Sequence, residues 1–109
     1  MKAKEWAPGE ILELSGSYWR TCALHAGVRL GIFGVIDGGE PSAAETAAAI
    51  GASADGVERL LNALSAMGLL DHRNGRYRCP DSVRALLSTS SPGYLGHILQ
   101  HHHHLMASW

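Results

Sequence analysis

The sequence predicts a mainly α-helical domain: a winged helix-turn-helix with a two-stranded β-hairpin, flanked by extra N-terminal and C-terminal helices. Three observations carry this expectation. Two short apolar segments, Ser42 to Gly51 and Ser53 to Gly68, each open on a helix-capping serine and close on glycine. An Asn74-Gly75 pair separates two runs of strand character. Helical periodicity also extends beyond this unit on both sides.

Residues 1–9 read as an extended arm closed by Pro8 and Gly9. A long helical pattern follows, from about Glu10 to Val35. Its apolar residues form two neighbouring stripes, Ile11-Leu14-Tyr18-Cys22 and Leu12-Trp19-Ala23-Ala26-Leu30-Phe33. Gly16, Gly27 and Gly31 each lower its helicity by roughly 1 kcal/mol relative to alanine, so a kink or break is expected near one of them. Asp37-Gly38-Gly39-Glu40-Pro41 is a stop and a turn.

Ser42-Ala43-Ala44-Glu45 is a capping box, in which the serine oxygen accepts from the third helical N–H and the glutamate reaches back. Ala44, Ala47, Ala48 and Ile50 then supply an apolar face, and Gly51 suits a left-handed helix end. Ser53 caps the next helix, with Val57, Leu60, Leu61, Leu64 and Met67 on one stripe. Tyr77 and Cys79 alternate with Arg76 and Arg78, giving a strand with one buried and one wet face. Pro80 opens a short helix with Val83, Leu86 and Leu87 inward. After a loop, a terminal helical pattern runs from about Tyr94 to Trp109. The chain is expected to divide into an arm and first helix (1–36), a winged-helix core (37–88), and a loop and terminal helix (89–109).

The 109 residues suffice for one modest core, built from small aliphatic groups, since 46% of the chain is apolar and only 6% aromatic. Nine Lys and Arg almost cancel ten Asp and Glu, which is not the balance of a dedicated nucleic-acid binder. No signal peptide or membrane-length apolar run is visible, and Cys22 and Cys79 read as buried thiols, so the expected location is the cytoplasm.

A winged helix first suggests DNA, with its second helix in the major groove. Yet the surface of that helix offers Asp55, Glu58, Arg59, Asn62 and Ser65, one base against two acids. Arg73, Arg76 and Arg78 on the wing fit an ordinary solvated strand face. On the last helix, the spacing of His97, His101 and His104 sets three imidazoles on one side, but no carboxylate, cysteine or HExxH accompanies them, and no metal is assigned. There is no catalytic triad, GxGxxG or Walker A loop, so no catalytic residue and no cofactor site is read in this chain. What remains is apolar surface on the first and last helices in excess of what a winged-helix core needs, the mark of a partner or a missing domain.

Ala26-Gly27-Val28-Arg29-Leu30-Gly31-Ile32-Phe33 resembles the helix end that precedes the winged unit in S-adenosylmethionine-dependent O-methyltransferases of the plant caffeate and bacterial polyketide-tailoring type. Glu45-Thr46-Ala47-Ala48-Ala49-Ile50-Gly51 and the run from Arg59 to Leu70 resemble the two helices of that family's winged unit. Tyr77-Arg78-Cys79-Pro80 with Val83 and Leu86-Leu87 resembles the segment after its wing, and the helix through Trp109 resembles the segment leading toward the catalytic domain. Gly34, where the family usually has an acidic residue, and the four-histidine run depart from it.

The resemblance implies an intertwined homodimer whose helices wall part of the acceptor pocket, joined in the parent protein to a catalytic domain that binds S-adenosylmethionine and methylates a hydroxyl of a small molecule. Within this chain it points to Leu12, Tyr18, Trp19, Leu30, Leu99 and Trp109 as dimer interface, and to Trp19, His97 and His101 as acceptor-lining residues. Two other readings compete with it: a DNA-binding winged-helix regulator, which requires a basic helix face, and a stand-alone protein-interaction module.

Overall fold

A computed structural model describes residues 3–108. Its elements in chain order are α1 (Pro8–Gly16), α2 (Tyr18–Arg29), α3 (Ile32–Ile36), α4 (Ala43–Ile50), α5 (Ala54–Ala66), β1 (Asp71–Arg73), β2 (Arg76–Arg78), α6 (Asp81–Leu87) and α7 (Gly96–Met106). The mainly helical winged architecture expected from the sequence is present.

The long first helix is instead three helices. Pro8 and Gly9 belong to α1 rather than to the arm, because proline without an N–H suits the first helical position. The first break falls at Ser17, whose hydroxyl donates to the Leu14 carbonyl at 2.7 Å and whose N–H bonds to the same oxygen at 3.2 Å, tightening the turn. The second falls at Gly31, at φ 72°, a left-handed conformation that costs glycine little. Gly27 stays inside α2: a β-carbon there would stand 3.1 Å from both Leu64 and Phe33, so its absence lets three helices close on one point.

The capping box forms as read. Glu45 N–H donates to Ser42 Oγ, and Ser42 N–H donates to Glu45 Oε1, each at 3.1 Å. This fixes the phase of α4 so that Ala43, Ala47 and Ile50 turn to the core, while Ala44 and Ala48, expected inside, face solvent. Thr46 is buried with them, its hydroxyl satisfied by the Ser42 carbonyl at 2.8 Å. Ser53 Oγ caps α5, which buries Val57, Leu61 and Leu64 at spacings of four and three.

The hairpin turns at Asn74 and Gly75, both at positive φ, as a type I′ turn requires. Asp71 pairs with Arg78, His72 with Tyr77 and Arg73 with Arg76. The wing is also tied backward: Tyr77 N–H donates to the Pro41 carbonyl at 3.0 Å, and Ser42 bridges Arg76. In α6, Leu87 is buried and Val83 packs against the core, but Leu86 is exposed, lying one residue off the inward row. Helix α7 begins at Gly96 rather than near Tyr94, and Leu95 N–H bonds to the Leu86 carbonyl at 2.7 Å.

Candidate functional site

No residue of α1 is buried, although Ile11, Leu12 and Leu14 lie on it. Glu10 organises its start: the carboxylate accepts from the Ala7 N–H at 3.2 Å and pairs with Lys4 at 2.7 Å. The Lys4 ammonium in turn stands 4.2 Å from the centre of the Trp6 ring, bringing an indole from the arm to the helix. The result is a groove lined by Trp6, Leu12, Leu14, Gly16 and Trp19, edged by Glu10, Glu13 and Arg20. Gly16 shapes it, because a β-carbon at that position would meet the Trp19 ring at 3.3 Å. Tyr18 extends the apolar face, its ring 5.4 Å from that of Trp19.

Of the residues singled out as interface, Leu12 and Trp19 share this groove, at 72% and 67% exposure, with Tyr18 beside it. Leu30 is exposed elsewhere, in a shallow apolar depression with Ala52, Val57 and Leu60. Leu99 is half-buried and packs against the chain's own core. Trp109 lies outside the described residues. His97 and His101 are exposed on α7; His97 meets the edge of Tyr94 with ring centres 5.4 Å apart, and neither histidine lines the groove that holds Trp19. Trp6 gave no periodic signal in the arm, so pattern reasoning passed over it.

Cys22, read as a buried thiol, is exposed, because only one of the two apolar stripes of α2 turns inward. Cys79 is buried, and burial pushes its thiol up to about 11, which removes it as a thiolate nucleophile near neutral pH. Among the described residues no three His, Cys, Asp or Glu side chains gather where they could hold a metal ion.

Residues 12–89 match the O-methyltransferase dimerisation domain family. The chain belongs to this family. It is 34% identical over 93 residues to the 3-hydroxy-5-methyl-1-naphthoate 3-O-methyltransferase of Streptomyces sahachiroi, covering 85% of this chain and 27% of that protein. It is 33% identical over 101 residues to the N,N-dimethyltransferase OxyT of Streptomyces rimosus, covering 89% and 29%. Among solved structures, an O-methyltransferase family protein from Burkholderia thailandensis superposes with a TM-score of 0.87 at 27% identity, covering 97% of this chain and 32% of that one. The chain thus spans under a third of the length of these relatives.

Part of the basic surface of this dimerisation domain is paired within the chain. Arg76 pairs with Glu45 at 2.8 Å, Arg78 with Asp71 at 3.4 Å, and Arg59 on α5 with Asp55 at 3.5 Å. Asn62, the one amide able to read a base edge, accepts the Tyr77 hydroxyl at 2.6 Å. These pairs are all exposed, and Arg73 on the wing belongs to none of the ion pairs among the described residues. The fold does not suit S-adenosylmethionine. Such cofactors sit where a parallel strand runs into a helix, whereas the strands described here form one antiparallel hairpin of three residues each. No helix among the described residues is long and apolar enough to cross a membrane.

Proposed function

We propose that this domain joins two copies of an S-adenosylmethionine-dependent methyltransferase into a symmetric homodimer and walls part of the acceptor pocket. The observation that carries the reading is α1, a helix with no buried residue and three large exposed aliphatic side chains, continuous with Trp6, Tyr18 and Trp19. A second copy is the occupant that the family supplies for such a face. Leu12, Tyr18 and Trp19 form the centre of the interface, with Leu30, Leu99 and Trp109 at its margins. The cofactor and the acid–base chemistry belong to a separate catalytic domain, and this chain contributes apolar walls and, through His97 and His101, hydrogen-bonding groups toward the acceptor.

The acceptor is a small molecule methylated on a hydroxyl. The naphthoate relative is named for transfer to oxygen and OxyT for transfer to nitrogen, and the hydroxyl reading follows the first of these. The cytoplasm is the fitting compartment for the two free thiols. The test is kinetic, on this domain joined to its catalytic domain. Trp19→Ala and His101→Ala should raise the acceptor KM several-fold and leave the KM for S-adenosylmethionine unchanged. Unchanged acceptor KM in both variants would remove the pocket-lining role.

A further inference from the structure

The histidine run places one imidazole where pattern reasoning did not look. His103, rather than His97 or His101, reaches back from α7 to His25 on α2, across 78 positions of sequence. Their Nδ1 atoms are 3.2 Å apart, and the rings meet edge to face with centres 5.2 Å apart. His25 is buried, whereas His103 is half-buried. Two nitrogens at this distance and with no other atom between them share one proton: one ring donates its N–H and the other accepts through a lone pair.

The place of this contact gives it leverage. The start of α7 is held by Leu99 against the core and by the Leu95 to Leu86 backbone bond. Beyond Leu99, every described residue of α7 is exposed except Gln100 and His103. The second half of the helix, His101 to Met106, therefore hangs on the pair.

We propose that His25 and His103 form a pH-sensitive latch that docks the C-terminal half of α7 on α2 near neutral pH and releases it on acidification. One proton added to the pair is tolerated, because an imidazolium on the more exposed His103 still donates to a neutral His25. A second proton leaves two donors and no acceptor, with a positive charge on a buried ring. The titratable groups that bear on His25 are His103 and His102 of α7; its own helix carries Tyr18, Arg20, Cys22 and Arg29, all exposed, α3 carries none, and the charged side chains of α5, Asp55, Glu58 and Arg59, are exposed. Burial first, and then the charges of His103 and His102, hold His25 below the ordinary imidazole range. A histidine kept neutral by the docked state stabilises that state fully above about pH 6.5, and the contribution falls away as pH drops toward the lowered value. The latch lies within one chain and does not depend on the acceptor or on a second copy.

Amide hydrogen exchange of the 109-residue chain, corrected for intrinsic rates, tests this at about pH 7.5 and about pH 5. Protection of residues 101–106 should fall about tenfold or more between the two, the change expected for one proton taken up over about one pH unit. His103→Gln keeps a hydrogen-bonding partner for His25 that cannot be charged, so the share of the loss that comes from the second imidazole should disappear and the loss should shrink. His25→Gln removes the buried ring itself, so the loss should shrink further, to about twofold or less. His103→Gln guards against a misfolded His25 variant, since His103 is only half-buried. Wild-type protection that does not change with pH would overturn the latch. So would a loss that persists undiminished in His103→Gln, which would belong to the neighbouring imidazoles.

Discussion

The winged core from α3 to α6 and the segment from Trp6 to Cys22 are both rich in apolar side chains, yet they spend them differently. In the core, Ile32, Phe33, Ile36, Leu61 and Leu64 are all but sealed from water by the chain itself. In the N-terminal segment, Trp6, Ile11, Leu12, Leu14, Tyr18 and Trp19 all remain exposed. The helical period is the same in both. What differs is the number of elements available to cover it: α5 packs on α2 and α4, while α1 has nothing of its own chain to bury a single residue. Apolar area left in water contributes nothing to folding, so its retention points to association.

Truncation breaks or sharpens this contrast. The largest effect should come from the core. Leu61→Ala removes a side chain with 0% exposure and should cost about 2–5 kcal/mol of unfolding free energy, read from urea denaturation. A loss below about 1 kcal/mol would mean that the core is not packed as described. Next comes Trp19→Ala, which should weaken self-association by about 2 kcal/mol, or roughly 30-fold in dissociation constant, by sedimentation. The same variant, diluted until it is monomeric, should unfold almost as the parent does.

Smaller still is the cap. Ser42→Ala should cost about 1 kcal/mol by losing the bond to Glu45 N–H. It should also change the acid limb of stability. The Glu45 carboxyl is held below its usual range by the Ser42 backbone N–H, then by the Ser42 side chain and by Arg76. A lowered carboxylate stabilises the fold above its unfolded value, about pH 4.3, and the contribution is lost as pH falls through the folded one. Denaturation midpoints measured on the acid side should therefore fall less steeply in Ser42→Ala. The smallest effect belongs to Leu12→Ala in the monomer, within about 0.5 kcal/mol, because a side chain 72% exposed has little burial to lose.

The same contrast explains how much of the molecule was legible in its sequence. The core elements announce themselves through local chemistry: Ser42 with Glu45, Ser53 before its helix, and Asn74 with Gly75 at positive φ. A break near Gly16, Gly27 or Gly31 was legible, but not that the helix breaks twice, at Ser17, where a hydroxyl competes for a backbone carbonyl, and at Gly31. The exposure of Cys22 was hidden because two adjacent apolar stripes look alike until a neighbour covers one of them. The pairing of His25 with His103 was hidden because nothing local links residues so far apart. Excess apolar surface on the first helix was legible as a quantity, though its division between α1 and α2 was not.

The second copy proposed to cover α1 is tested most directly by the mass of the chain in solution. Sedimentation equilibrium at micromolar concentration should return twice the 11.6 kDa chain mass, shifting toward the single-chain value in Trp19→Ala. A clean 11.6 kDa species for the unaltered chain across that range would contradict it.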